Sequence, residues 1–205
     1  TALFQPITKW AVTVERPERV GWYIRRAITI ATSGQPGPVF LEVPADLGLQ
    51  PVEMPPYRTA LRDIRPAPDP SRIQAVVELL REARRPLLVC GGGAIASRAF
   101  EAVRALAERL GLPVQVTPSG RGIIEEEHPL FAGLVGLYRT EYAREVWEES
   151  DLIIIVGSRM EEFQSGAWTY LPTGARLVQI DIAAEELGRN WVPDVAIQAD
   201  ASLAL

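Results

Sequence analysis

The sequence has a single cysteine, Cys90, and a single histidine, His128. One cysteine excludes a disulfide within the chain and points to a reducing compartment, so a cytoplasmic protein is expected. One histidine excludes a histidine cluster around a transition metal, and no serine–histidine pair stands out as nucleophile and base. His128 precedes Pro129 in a loop and reads as structural. Cys90 reads as a buried strand residue, because nothing near it in the sequence would stabilise a thiolate. Lys9 is the only lysine; every other basic residue is arginine. The formal net charge of −5 gives no basic footprint for nucleic acid. No apolar run is long enough to span a bilayer, so no membrane partner is expected. There is no internal repeat and no low-complexity segment. The five tryptophans are scattered along the chain, and no stacking platform is expected from them. What remains is an ordinary globular mixture, 47% hydrophobic and 23% charged, over 205 residues, enough for one large or two small domains.

The most informative stretch is Arg85-Pro-Leu-Leu-Val-Cys-Gly-Gly-Gly-Ala-Ile-Ala96. Leu87 to Cys90 predict a parallel strand buried on both faces. Three glycines follow, then a helical pattern. A tight turn onto a helix N-terminus would let backbone N–H groups face a phosphate. Gly91, Gly93 and Ala96 also fit the G-x-G-x-x-G/A spacing of dinucleotide folds. The same glycines would serve equally for close packing of a strand against a helix.

Read in order, the chain predicts strands alternating with helices. Residues 1–45 form a strand–helix–strand fragment: alternation around Trp10, Val12 and Val14, a helix opened by Pro17 with Val20, Tyr23, Ile24, Ala27, Ile28 and Ala31 on one side, and the strand Pro38–Val43. Its apolar faces need a partner. Residues 46–68 hold Pro51, Pro55, Pro56, Pro66 and Pro68 and predict an extended, non-helical linker. The main domain, 69–205, opens with Asp69 as cap and Pro70 at the first helical position. A helix from Phe100 to Leu110 stops at Gly111. Strands are predicted at 112–117, 151–157, 176–182 and 195–198, with 118–138 as loop. The fold class is α/β: a parallel sheet covered by helices on both faces through right-handed crossovers.

In such a sheet ligands sit outside the carboxyl ends of the strands. Those ends carry Gly91, Gly92 and Gly93, Thr117, Arg159, and Asp181. Glycine amides suit a phosphate, Arg159 a phosphate or a base, and Asp181 ribose hydroxyls. Each residue has a plainer use as well. Arg159 would be an ion-paired loop residue beside Glu161 and Glu162, and Asp181 would cap the helix that follows it. The strand after the glycines ends in Thr117-Pro118 with no acid, which argues against a free-standing NAD-binding protein. Glu125-Glu126-Glu127 reads as a solvated acidic turn.

Several stretches resemble thiamine-diphosphate enzymes, most closely the acetolactate synthase-like group. Phe4-Gln-Pro-Ile-Thr-Lys-Trp10 and Gly34-Gln-Pro-Gly-Pro-Val-Phe-Leu-Glu-Val-Pro-Ala-Asp46 resemble the end of the family's pyrimidine-binding domain. Thr117-Pro-Ser-Gly-Arg-Gly-Ile-Ile, His128-Pro-Leu-Phe-Ala-Gly133, Asp151-Leu-Ile-Ile-Ile-Val-Gly-Ser-Arg159 and Gln179-Ile-Asp-Ile182 resemble its central domain. The resemblance implies residues 1–45 as the tail of the first domain. It implies 69–205 as a Rossmann-like central domain of the DHS-like nucleotide-binding type. It further implies a transferase or lyase acting on 2-oxo acids, with thiamine diphosphate and magnesium held outside this chain. The partners it implies are the missing N- and C-terminal domains and further copies, as a dimer or tetramer. No catalytic or metal-binding residue is expected within this chain, and the chain alone is expected to be inactive. Central domains of this family hold FAD in acetolactate synthases, ADP in oxalyl-CoA decarboxylases, and nothing in several members. By motif match Gly91, Gly92, Gly93, Thr117, Arg159 and Asp181 would hold the nucleotide. Two departures count against FAD: Tyr138-Arg139 where the flavin enzymes tend to have His-Gly, and Arg159-Met-Glu-Glu-Phe163 where they tend to have Arg-Phe-Asp-Asp-Arg.

Overall fold

In the computed structural model, which describes residues 1–61 and 64–205, contacts divide the chain into two units, Thr1–Arg65 and Pro66–Leu205. Arg62 and Asp63, inside the stretch expected as a linker, lie outside the described residues.

The first unit contains β1 (Trp10–Thr13), α1 (Val20–Thr32), β2 (Val39–Glu42) and α2 (Ala45–Gly48). Pro17 opens a 3-10 turn that runs into α1, as its fixed φ favours. β1 and β2 pair in parallel, from Trp10 opposite Val39 to Thr13 opposite Glu42. Val14, Tyr23 and Ala27 are buried, whereas β1 is half-buried throughout and Ile24 is exposed. Two expectations are corrected here. The proline-rich stretch contains one helical turn, α2, because no proline lies between Pro44 at its cap and Pro51. The tryptophans are not all scattered. Trp22 and Tyr23 meet edge-on at 4.9 Å, Trp10 lies 6.3 Å from Tyr23, and the Arg19 guanidinium sits 4.4 Å above Trp22.

The second unit runs α3 (Pro70–Glu82), β3 (Pro86–Cys90), α4 (Gly92–Ala96), α5 (Phe100–Leu110), β4 (Val114–Val116), β5 (Phe131–Leu134) and α6 (Glu141–Glu148). It continues with β6 (Leu152–Val156), α7 (Glu162–Ser165), β7 (Arg176–Asp181), β8 (Val195–Gln198) and α8 (Ala201–Ala204). The six strands form one sheet in the order β5-β4-β3-β6-β7-β8, every neighbouring pair parallel. The Asp69 carboxylate accepts the Ser71 N–H at 2.8 Å, which starts α3 where the sequence places it. The Thr140 hydroxyl accepts the Ala143 N–H at the head of α6.

Alternation along the strands divides the core into two layers. Leu88, Cys90, Ile154, Val156, Val178 and Ile180 pack on one face with Val76, Val103 and Ala107 from α3 and α5. Leu87, Val89, Ile153, Ile155 and Leu177 pack on the other with Trp147 from α6 and with Met160. Both faces are covered, so β6 is buried at all its positions. The α/β parallel sheet expected from the sequence is the fold observed.

β5 corrects the expectation of a loop over 118–138. It is a short edge strand with a register shift against β4, and Gly133 within it weakens its own strand preference. His128 prepares it: its Nδ1 accepts the Leu130 N–H, and its carbonyl accepts the Phe131 N–H. That is the structural use expected of this residue. The fully buried Gln115 donates from its amide to the carbonyls of Ala132 and Ala143, tying β4 to β5 and α6. Among the described residues no helix is long and apolar enough to cross a membrane.

Candidate functional site

The strand order reverses between β3 and β6: the chain builds outward from β3 to β4 and β5, then crosses back to β6, β7 and β8. A crevice at the carboxyl ends of those two central strands is the usual ligand position in such sheets. The residues singled out from the sequence lie at the carboxyl ends of four adjacent strands. Gly91, Gly92 and Gly93 follow β3, Thr117 follows β4, Arg159 lies in the turn after β6, and Asp181 ends β7.

The glycines are packed against the turn after β6. A Cβ on Gly91 would lie 2.3 Å from the Gly157 carbonyl oxygen, and one on Gly93 would lie 2.7 Å from the Gly157 Cα. Gly157 itself has φ +62°, and a Cβ there would lie 2.5 Å from the Ala94 nitrogen. The amides follow the same plan. Gly91 N–H donates to the Val156 carbonyl at 2.8 Å and Gly93 N–H to the Gly157 carbonyl at 2.9 Å. The amides expected to face a phosphate are thus engaged in joining two loops at residues 91 and 93. Gly92 sits beside Ser119. Thr117 is buried, and its N–H donates to the Cys90 carbonyl.

Arg159 and Asp181 carry the side chains at the ends of β6 and β7. The Arg159 Nε pairs with Glu161 at 2.6 Å, and its Nη1 lies 3.6 Å from Glu186. Glu186 is buried and also takes two hydrogen bonds from Arg189, at 3.0 and 2.9 Å. Asp181 is half-buried, and its carboxylate accepts the Ala183 N–H at 2.9 Å, a local turn rather than the helix cap expected, since the 3-10 helix Ala184–Glu186 has Ala183 at its cap and takes no side-chain bond there. Burial raises its pKa above the usual aspartate value; the Ala183 N–H offsets part of this and Glu186 adds to it. Cys90 is buried in β3, and burial alone pushes its thiol up to about 12, so it stays a thiol. Glu125 and Glu126 pair with Arg104 and Arg121 on the surface. Among the described residues no group of three or more His, Cys, Asp or Glu side chains could hold a metal.

Three residues that shape this edge are not among the expected site residues. Ser158, Met160 and Asn190 fix the turn that carries Arg159. Met160 is buried with φ +48°, its N–H bonded to the Ser158 hydroxyl. Asn190 donates from its amide to the carbonyls of Arg159 and Met160, at 2.6 and 2.9 Å. Asn190 is the only asparagine in the chain, which was the one available hint.

Comparison with known proteins agrees with this architecture. Residues 73–205 match the family described as thiamine pyrophosphate enzyme, central domain. An acetolactate synthase large subunit from Parasynechococcus marenigrum is 36% identical over 98% of this chain and 33% of its own length. A glyoxylate carboligase from Escherichia coli O157:H7 is 34% identical over 100% of this chain and 35% of its own. The crystal structure of benzoylformate decarboxylase from Polynucleobacter necessarius superposes with a TM-score of 0.82 and 26% identity, over 98% of this chain and 38% of that one. The chain thus spans about a third of the length of the curated relatives it matches. With a family match over most of the second unit and a sheet of the same architecture, the chain belongs to the thiamine pyrophosphate enzyme family and carries its central domain.

Proposed function

We propose that this chain is part of a thiamine diphosphate- and magnesium-dependent enzyme that joins or cleaves carbon–carbon bonds beside the carbonyl of 2-oxo acids or related substrates. The names of its relatives, two carbon–carbon ligating enzymes and a decarboxylase, support that reading. The thiamine group supplies the electron sink for such chemistry. No residue of this chain is assigned to it. On this reading the chain alone is inactive, and carbon dioxide release from pyruvate by residues 1–205 with thiamine diphosphate and magnesium would contradict it.

Within the enzyme, the second unit spaces the catalytic domains and takes an adenine nucleotide, as ADP or as part of FAD, at the edge formed by Gly92, Thr117, Arg159 and Asp181. The observation that carries this is the placement of Arg159 and Asp181 at the carboxyl ends of the adjacent strands β6 and β7. Arg159 suits a phosphate, and the half-buried Asp181 carboxylate suits a ribose hydroxyl. The fit is through side chains; the Gly91 and Gly93 amides, already bonded, leave no glycine cradle for a diphosphate. That same closure favours a second reading, a purely architectural domain with no nucleotide. A thermal shift separates the two. A nucleotide at a hundredfold its dissociation constant adds about 2.7 kcal/mol, which raises the melting temperature by roughly 5–10 °C. A shift with ADP or FAD supports the nucleotide reading, and none with either supports the architectural one.

A further inference from the structure

The turn after β6 holds a buried residue in a backbone conformation that its type disfavours. Met160 is 2% exposed and left-handed, at φ +48°. Left-handed backbone is common for glycine and uncommon for an unbranched, bulky side chain. Such a residue persists only where its surroundings over-determine it, and those sites gather where a neighbouring group must be aimed. The surroundings here are specific. The Met160 side chain is locked into the core layer with Val135, Trp147 and Ile155. The Ser158 hydroxyl accepts the Met160 N–H at 3.1 Å. The carbonyls of Arg159 and Met160 both turn toward the Asn190 amide.

The consequence falls on Arg159. With Met160 driven inward, the preceding residue is thrown outward, and Arg159 stands exposed at the crevice edge. In the connection after β7, Arg189 grips the buried Glu186, and Glu186 faces the Arg159 guanidinium. Trp191 donates from its indole to the Trp168 carbonyl, so three consecutive residues, 189 to 191, brace the connection around β6 and β7.

We propose that Asn190 is a positioning residue for nucleotide binding: by donating to the carbonyls of Arg159 and Met160 it holds the left-handed turn that sets the Arg159 guanidinium at the crevice edge. The proposal rests on the nucleotide reading of this site. Asn190 does not touch the ligand; it acts through Arg159. Its amide nitrogen is the working group, since the two acceptors are carbonyls and only a donor serves them.

The test is a double-mutant cycle by isothermal titration of ADP into the whole 205-residue chain. Arg159→Ala weakens binding about tenfold, the loss of one charge-assisted phosphate contact. Asn190→Ala weakens it by a similar factor. The double variant binds no more weakly than Arg159→Ala alone, because Asn190 acts only through Arg159. Asn190→Asp, equal in size but without the donor, gives the same result as Asn190→Ala and serves if the alanine variant does not fold. A merely structural role would lower the melting temperature and leave ADP affinity at the parent value. That outcome, or losses that add in the double variant, overturns the proposal while the nucleotide reading stands. Absence of ADP binding by the parent chain overturns the reading and the proposal together.

Discussion

Both units of this chain pair parallel β-strands with a helix, yet only one of them builds a core. β6 has a strand on each side and helices on each face, and its five residues are all buried. β1 has one partner strand, and its four residues are all half-buried. The strands differ in composition, Trp-Ala-Val-Thr against Leu-Ile-Ile-Ile-Val, but composition is not the whole of the contrast. They differ in neighbours. A parallel strand gains its stability from two flanking strands and two covered faces. Six strands in the second unit supply these, and two in the first do not. The largest buried side chains follow, with Val14 the one member from the first unit beside Leu87, Leu88, Ile153, Ile154 and Ile155 from the second.

The two units part most sharply at two glycines with nearly the same backbone angle. Gly157, at φ +62°, packs against Gly93 and Ala94 of the neighbouring loop; Gly34, at φ +59°, has nothing within 4 Å of where a Cβ would stand. Gly157→Ala adds a steric clash to the left-handed penalty and destabilises the second unit by about 3 kcal/mol. Gly34→Ala carries the conformational penalty alone, about 1 kcal/mol. Urea unfolding followed by circular dichroism reads both. Equal effects would mean that the close approach of the two loops contributes nothing.

A smaller effect sharpens the electrostatic side. Burial raises the pKa of Asp181, so the folded protein holds that proton more tightly than the unfolded chain does. Its contribution to stability is fullest below the ordinary aspartate pKa and falls as pH rises through the raised value. Asp181→Asn keeps an acceptor for the Ala183 N–H and removes the charge. The variant melts higher than the parent at neutral pH, and the gap closes as pH falls below the ordinary aspartate range. A gap independent of pH would show that the carboxylate is not desolvated.

These differences also explain what the sequence made legible. β6 and α5 announce themselves, because a continuous apolar run and a helical stripe encode burial locally. Asp69 likewise announces a helix start, with its acceptor two residues from the donor. β5 is silent, since Phe131–Leu134 becomes a strand through pairing with β4 and through His128 before it. The aromatic cluster of Trp10, Trp22 and Tyr23 is silent for a similar reason: a parallel pairing of strands and a helix between them brings distant residues together. At the candidate site the positions of Gly91, Arg159 and Asp181 were readable from strand ends. Their partners were not. Glu186 is buried while Glu185 beside it is exposed, and no local pattern separates them. Nor does any spacing connect Asn190 to a turn some thirty residues earlier.

Native-state hydrogen exchange on the whole chain tests the contrast between the units most directly. The account predicts that amides of β3, β6 and β7 open only with global unfolding of their unit, and that amides of β1 and β2 exchange far faster, through local opening. Protection of β1 and β2 equal to that of β6 would contradict it, because two half-buried strands would then be as secure as a sheet covered on both faces.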